Sequence, residues 1–250
     1  MNALQHKHYR ITASLWLLPL LLMTLITACT KEDSNASNIE KAGEVTAAPT
    51  PVISVDTDPE SFAVLVNPQL GLPDHYVPAD LVYPDVRFIF AEKIEKRMMR
   101  QEAASALEQL FAGAEKDGVY LAGVSAYRSA STQTTLFNRY VQRDGEEKAR
   151  TYSAVPGYSE HQTGLAIDVS DSAGNCAAEA CFAGTKEAKW LAEHAPEYGF
   201  IIRYPEGKQP ITGFTYEPWH IRYVGTELAQ EITNKGITLE EYYDAVPVSK

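Results

Sequence analysis

The spacing of apolar residues changes from one segment of the chain to the next. Between residues 86 and 116, Phe90, Ile94, Met98, Ala103, Leu107, Leu110 and Phe111 recur every three or four positions. That period predicts a long helix, ended by Gly118. Residues 119–125 read as a short strand. Leu136, Phe137, Tyr140 and Val141 share one face of a helix predicted from about Ser131 to Arg143, which Asp144-Gly145 breaks. Residues 151–162, with Pro156 and Gly157, are a loop. A strand over 165–169, a helix over 186–194 and a helical tail over 226–243 follow. With no Gly-rich βαβ fingerprint and no internal repeat, these short strands among helices predict an α+β domain: a small antiparallel sheet with flanking helices.

The beginning of the chain does not fit this domain pattern. Lys7 and Arg10 precede an uncharged, largely apolar run over residues 11–28 that ends in Ile26-Thr27-Ala28-Cys29. A basic start, an apolar middle and small residues at the cut describe a secretion signal. Leu25-Ile26-Thr27-Ala28-Cys29 resembles the bacterial lipoprotein box, which implies lipid on Cys29 and an extracytoplasmic chain anchored to a bacterial membrane. A run of this length is also at the lower edge of what spans a bilayer, so an uncleaved anchor is the alternative. Residues 30–58, rich in Ser, Thr, Asn, Ala, Pro and Glu, bury too little apolar surface to offset their ordering entropy and read as a spacer. The expected organisation is a leader over 1–28, a flexible tether over 29–60 and one folded domain over 61–250.

Composition narrows the function classes. The chain has 250 residues, 45% of them hydrophobic, which excludes whole-chain disorder. Its formal net charge of −11, with no basic run, argues against nucleic acid as a partner. If Cys29 carries lipid, Cys176 and Cys181 remain as an even pair in an oxidising compartment. That favours a local disulfide, with free thiols or a zinc knuckle as alternatives.

Two segments carry candidate chemistry. In Gly157-Tyr158-Ser159-Glu160-His161-Gln162-Thr163-Gly164-Leu165-Ala166-Ile167-Asp168, His161 and Asp168 offer an imidazole and a carboxylate, and Gly164 permits a turn that brings them together. Tyr216-Glu217-Pro218-Trp219-His220 adds a second imidazole three residues after an acid, on a backbone that Pro218 keeps out of a helix. His161, Asp168 and His220 meet the count of a catalytic zinc site, three protein ligands and one open position. Glu217 is then left as general base. Each histidine taken alone reads equally as a hydrogen-bonded core or surface residue. His6, His8, His75 and His194 receive no role. The charges from Glu92 to Arg100 alternate in sign and read as the solvated face of the long helix.

Four motifs in order give a family resemblance: Ser125-Ala126-Tyr127-Arg128-Ser129 with Gln133; Ser153-Ala154-Val155-Pro156-Gly157; Ser159 to Gly164 with Asp168; and Glu217-Pro218-Trp219-His220. Together they closely resemble the VanY-like zinc D-alanyl-D-alanine carboxypeptidases over residues 65–225. The resemblance implies a zinc fold shared with the hedgehog signalling domain and removal of a terminal D-alanine from peptidoglycan stem peptides. It makes His161, Asp168 and His220 the zinc ligands, Glu217 the base, and Arg128 the group near the scissile carbonyl and substrate carboxylate. Arginine suits a carboxylate because its planar fork pairs two oxygens at once. Gln133 and Ser153 are expected to bind the terminal carboxylate or orient the peptide, with capping and loop hydrogen bonds as their alternative. Tyr127, Tyr158 and Trp219 are candidates for the pocket wall or for ordinary core. The chain has no Ser-x-x-Lys motif, so acylation of a serine is not expected. Two alternatives stand beside D,D-carboxypeptidase activity: L,D-carboxypeptidase activity on tetrapeptide stems, and a zinc-containing peptidoglycan-binding module without turnover.

Overall fold

The computed structural model describes residues 54–245. The predicted leader, Cys29 and most of the tether lie outside the described residues, as do residues 246–250. In chain order the elements are β1 (Leu81–Val82), β2 (Met99–Arg100), α1 (Gln101–Lys116), β3 (Leu121–Ser125), α2 (Ala130–Asp144), α3 (Glu146–Ala149), β4 (Ala166–Asp171), α4 (Lys186–His194), β5 (Phe200–Tyr204), α5 (Gln209–Thr212), β6 (Glu217–Tyr223), α6 (Thr226–Lys235) and α7 (Leu239–Tyr242). β1 and β2 form a small ladder, while β3, β4, β6 and β5 make a four-stranded sheet in that order, antiparallel throughout. This is the α+β architecture expected from the alternation of elements.

The period of two along β4 divides its side chains between chemistry and core. Ile167 and Val169 point into the hydrophobic core, where they join Ile221 of β6 and the α1 stripe of Ala103, Leu107, Leu110 and Ala114. Asp168 faces the other way. A second apolar cluster, Leu65, Ile201, Val224, Ala229, Ile232, Leu239 and Tyr243, fastens the arm before β1 to the C-terminal helices. Val55 packs on that cluster, so the last residues of the predicted tether lie against the domain.

The helix predicted over 86–116 is half as long as its spacing suggested. Only Gln101–Lys116 is helical. The backbone of residues 86–100 is committed elsewhere: Gly123 N donates to Arg87 O, Ile89 N to Gly123 O, Ala126 N to Lys96 O and Tyr127 N to Met98 O. Hydrogen bonds to neighbouring segments override a three-to-four spacing that is coincidental here. The charges from Glu92 to Arg100 therefore do not form the solvated face of a helix. Arg100 is buried, and its Nε lies 2.9 Å from Asp80. The predicted C-terminal helix is likewise two helices, interrupted at Gly236, where φ is +62°. Cys176 and Cys181 form a disulfide.

Gly164 carries the chain from a short 3-10 turn, Glu160–Thr163, into β4. Its φ is +67°, and an added Cβ would lie 2.9 Å from Leu81 Cδ2 and 3.1 Å from Arg100 Cγ. Backbone conformation and crowding both demand glycine here. Gly164→Ala is expected to lower unfolding free energy by about 1–3 kcal/mol, read by urea denaturation; a wild-type midpoint would contradict this account of the turn.

Candidate metal centre and active-site cleft

Strand register brings the candidate ligands together. Asp168 on β4 pairs directly with His220 on β6, and the 3-10 turn before β4 delivers His161 to the same end of the sheet. His220 Nδ1 lies 3.0 Å from one Asp168 oxygen and His161 Nε2 lies 3.5 Å from the other. One ligand atom from each of the three residues falls within 4.8 Å of the others, and all three residues are buried. His161 Nδ1 is 2.8 Å from the carbonyl oxygen of Ala126, which leaves Nε2 free to face the cluster. Two imidazole nitrogens and a carboxylate oxygen on converging, buried side chains fit zinc, with room for the open position of a catalytic site.

Glu217 reaches this cluster through a strand irregularity. Residues three apart on a regular strand point to opposite faces. Here Ile202 pairs with Ile221 and Tyr204 with Glu217, so β6 spends four residues where β5 spends two. A bulge re-aims side chains. The Glu217 carboxylate comes within 4.0 Å of His220 Nδ1.

Burial and neighbouring charge set the protonation of these groups unevenly. Burial pushes Glu217 up to about 8, the direction that makes a carboxylate a stronger base. Burial, reinforced by the Arg128 charge, lowers His161 to about 3. His220 is also buried, but its hydrogen bonds to Asp168 and Glu160 outweigh that and raise it to about 9. Asp168 remains below the usual carboxylate range, because His161, His220 and Arg128 outweigh its burial.

The cluster forms part of a cleft of about 530 Å³. Arg128 sits on its wall with the guanidinium braced by two neighbours: Nη1 donates to Gln133 Oε1 at 2.8 Å and Nη2 to Ser125 Oγ at 3.1 Å. Its main-chain N–H donates to His161 O, which couples arginine and ligand through the backbone. Gln133 makes the internal hydrogen bonds that were its alternative expectation. It is fully buried on α2 and absent from the cleft wall, and its amide N–H groups donate to Ser153 Oγ and Ala154 O. Gln133 therefore supports Arg128 from behind. Ser153 does line the cleft, and its hydroxyl proton is not used in that contact. Trp219 also lines it, but Tyr127 and Tyr158 do not.

Sequence reasoning missed several wall residues. Leu136 and Tyr140, on the predicted apolar face of α2, both open onto the cleft, together with Tyr152, Tyr204 and Phe214. Their aromatic composition carries no positional signal, since such residues usually pack. Residues 177–179, inside the disulfide loop, form another part of the wall. Glu160, passed over although it adjoins His161, also lines the cleft, with its side chain buried against His220.

Replacing Gln133 by Ala would leave Arg128 Nη1 without its acceptor and Ala154 O without its donor. Gln133→Ala is expected to cost about 1–3 kcal/mol of stability, measured by chemical denaturation; an unchanged midpoint would contradict the bracing role.

Comparison with known proteins places this geometry in context. Residues 96–226 match the family model "VanY: D-alanyl-D-alanine carboxypeptidase". The chain is 49% identical over 189 residues to the carboxypeptidase-like protein YodJ of Bacillus subtilis (strain 168), covering 76% of this chain and 69% of YodJ. Among solved structures, the LdcB LD-carboxypeptidase superposes with a TM-score of 0.72 at 49% identity, covering 75% of this chain and 88% of that one. A vancomycin-resistance D,D-pentapeptidase VanY variant, solved with Zn(II), superposes with a TM-score of 0.59 at 34% identity, covering 72% of this chain and 97% of that one.

Proposed function

The chain belongs to the VanY D-alanyl-D-alanine carboxypeptidase family, a zinc-dependent peptidase acting on peptidoglycan peptides, and from that premise we propose that it removes the C-terminal D-alanine of tetrapeptide stems. The observation that carries the choice of L,D over D,D cleavage is the depth of similarity to the LdcB LD-carboxypeptidase, against 34% identity to the D,D-pentapeptidase. This reverses the order of preference that the motif resemblance implies. D,D cleavage of pentapeptide stems remains the second reading, favoured by the description of the family model itself.

In this reading His161, Asp168 and His220 would hold the metal, with His161 Nε2 and His220 Nδ1 the nitrogens that face Asp168. Zinc, when bound, supplies the Lewis acid that activates water and polarises the scissile carbonyl. Glu217 takes the proton of the attacking water and passes it to the leaving D-alanine amine, a task its burial suits it to. Arg128 faces the negative charge that develops on the carbonyl oxygen and, with the N–H groups not spent on Gln133 and Ser125, engages substrate carboxylate. Ser153 adds a neutral donor on the same wall. A base and an oriented arginine beside the metal ligands speak against a binding module without turnover.

The proposed location rests on the leader-like sequence of residues 1–29. Cys29 carries lipid after removal of residues 1–28, and the domain works outside the cytoplasm, anchored to a bacterial membrane. The Cys176–Cys181 disulfide supports an oxidising compartment.

Incubation of the zinc-loaded protein with tetrapeptide and pentapeptide stems, followed by mass spectrometry, distinguishes the readings. Chelator-sensitive loss of one alanine from the tetrapeptide is expected; cleavage of the pentapeptide alone would establish the D,D reading instead. Glu217→Ala is expected to retain zinc by elemental analysis while losing turnover by about two to four orders of magnitude. Zinc loss in that variant would make Glu217 a ligand and not the base.

A further inference from the structure

One charged group lies next to the metal cluster and has no part in the mechanism above. Glu160 is 2% exposed, and its two oxygens have different company. Oε1 accepts from Arg203 Nε at 2.7 Å and Arg222 Nη1 at 2.6 Å. Oε2 faces His220 Nε2 at 3.4 Å. The arginines come from β5 and β6. Arg203 is held further by both oxygens of Glu240, and Arg222 by the carbonyls of Phe62 and Val64.

His220 thus stands between two carboxylates, Asp168 at Nδ1 and Glu160 at Nε2. An imidazole with a carboxylate on each nitrogen has its tautomer decided by which one holds the proton. We infer that Glu160 is a positioning residue of the metal centre: it accepts the Nε2 proton of His220, which keeps Nδ1 as the lone-pair nitrogen and fixes the ring toward Asp168 and His161. Arg203 and Arg222 take part by saturating Oε1, so that the carboxylate cannot rotate away from the ring. Outer partners of this kind orient a ligand and raise its basicity, and their loss typically lowers metal affinity about 10- to 100-fold.

The inference rests on the zinc reading, and its test separates the two. Apparent zinc affinity of the full-length protein is measured by competition with a chromophoric chelator, alongside thermal unfolding of the metal-free protein. Glu160→Leu removes the acceptor, Glu160→Gln restores a neutral one, and Glu240→Gln disturbs the same ion cluster without touching His220. Glu160→Leu is expected to weaken zinc binding about 10- to 100-fold, Glu160→Gln to recover part of that loss, and Glu240→Gln to lower the unfolding temperature with zinc affinity unchanged. Equal loss of affinity in Glu240→Gln and Glu160→Leu would overturn the inference and leave a purely structural cluster.

Should the Glu160 variants fail to fold, the wild-type protein still decides. In ¹⁵N-labelled, zinc-loaded protein, Nδ1 of His220 is expected to show the metal-induced shift and Nε2 to carry a slowly exchanging proton. A metal shift on Nε2 overturns the role of Glu160 while leaving the zinc reading intact. A wild-type chain that binds no zinc at His220 overturns both.

Discussion

Glu160, Arg203, Arg222 and Glu240 lie within the domain at 2% exposure or less, and the fold is arranged so that none is left alone. Each buried ion costs several kcal/mol of desolvation, which only close, well-directed partners offset. The partners come from distant parts of the chain: the turn before β4, strands β5 and β6, helix α7 and the arm at residues 62–66. Such a cluster adds little net stability over an apolar core, yet it punishes any arrangement in which one member is missing. Its consequence here is positional. Glu160 is fixed at the point where the chain turns from His161 toward Asp168, and the ladder from β4 to β6 does the rest by setting Asp168 against His220.

Two departures from regular strand geometry complete the site. The irregular pairing of β5 with β6 places Glu217 on the side of the candidate metal ligands. A second irregularity, between Gly123 and Ser125, occurs where β3 meets Asp168, next to the serine that braces Arg128. Glu217 and Arg128 thus both follow backbone irregularities in one small sheet.

Motifs made the reactive residues legible in the sequence, because zinc chemistry restricts which side chains can serve. His161, Asp168, His220, Glu217 and Arg128 all converge on the cleft. Secondary structure was legible where period and capping agreed: the helix predicted over 186–194 is found as Lys186–His194, opened by the Thr185 side chain. It was misread at 86–100, where apolar spacing imitates a helix but main-chain groups bond to Gly123, Ala126 and Tyr127. Gln133 was legible as a motif residue, but its hydrogen bonds to Arg128, Ser153 and Ala154 join parts of the chain that no local pattern links. Glu160 escaped notice because its partners lie 43 and 62 positions away.

The central claim is that strand pairing and a clamped turn assemble one zinc site from His161, Asp168 and His220. Anomalous diffraction at the zinc edge from crystals of the zinc-loaded protein tests it most directly. The account predicts a single strong peak in the cleft, about 2.0–2.2 Å from His161 Nε2, an Asp168 oxygen and His220 Nδ1. A peak coordinated by other residues would contradict it.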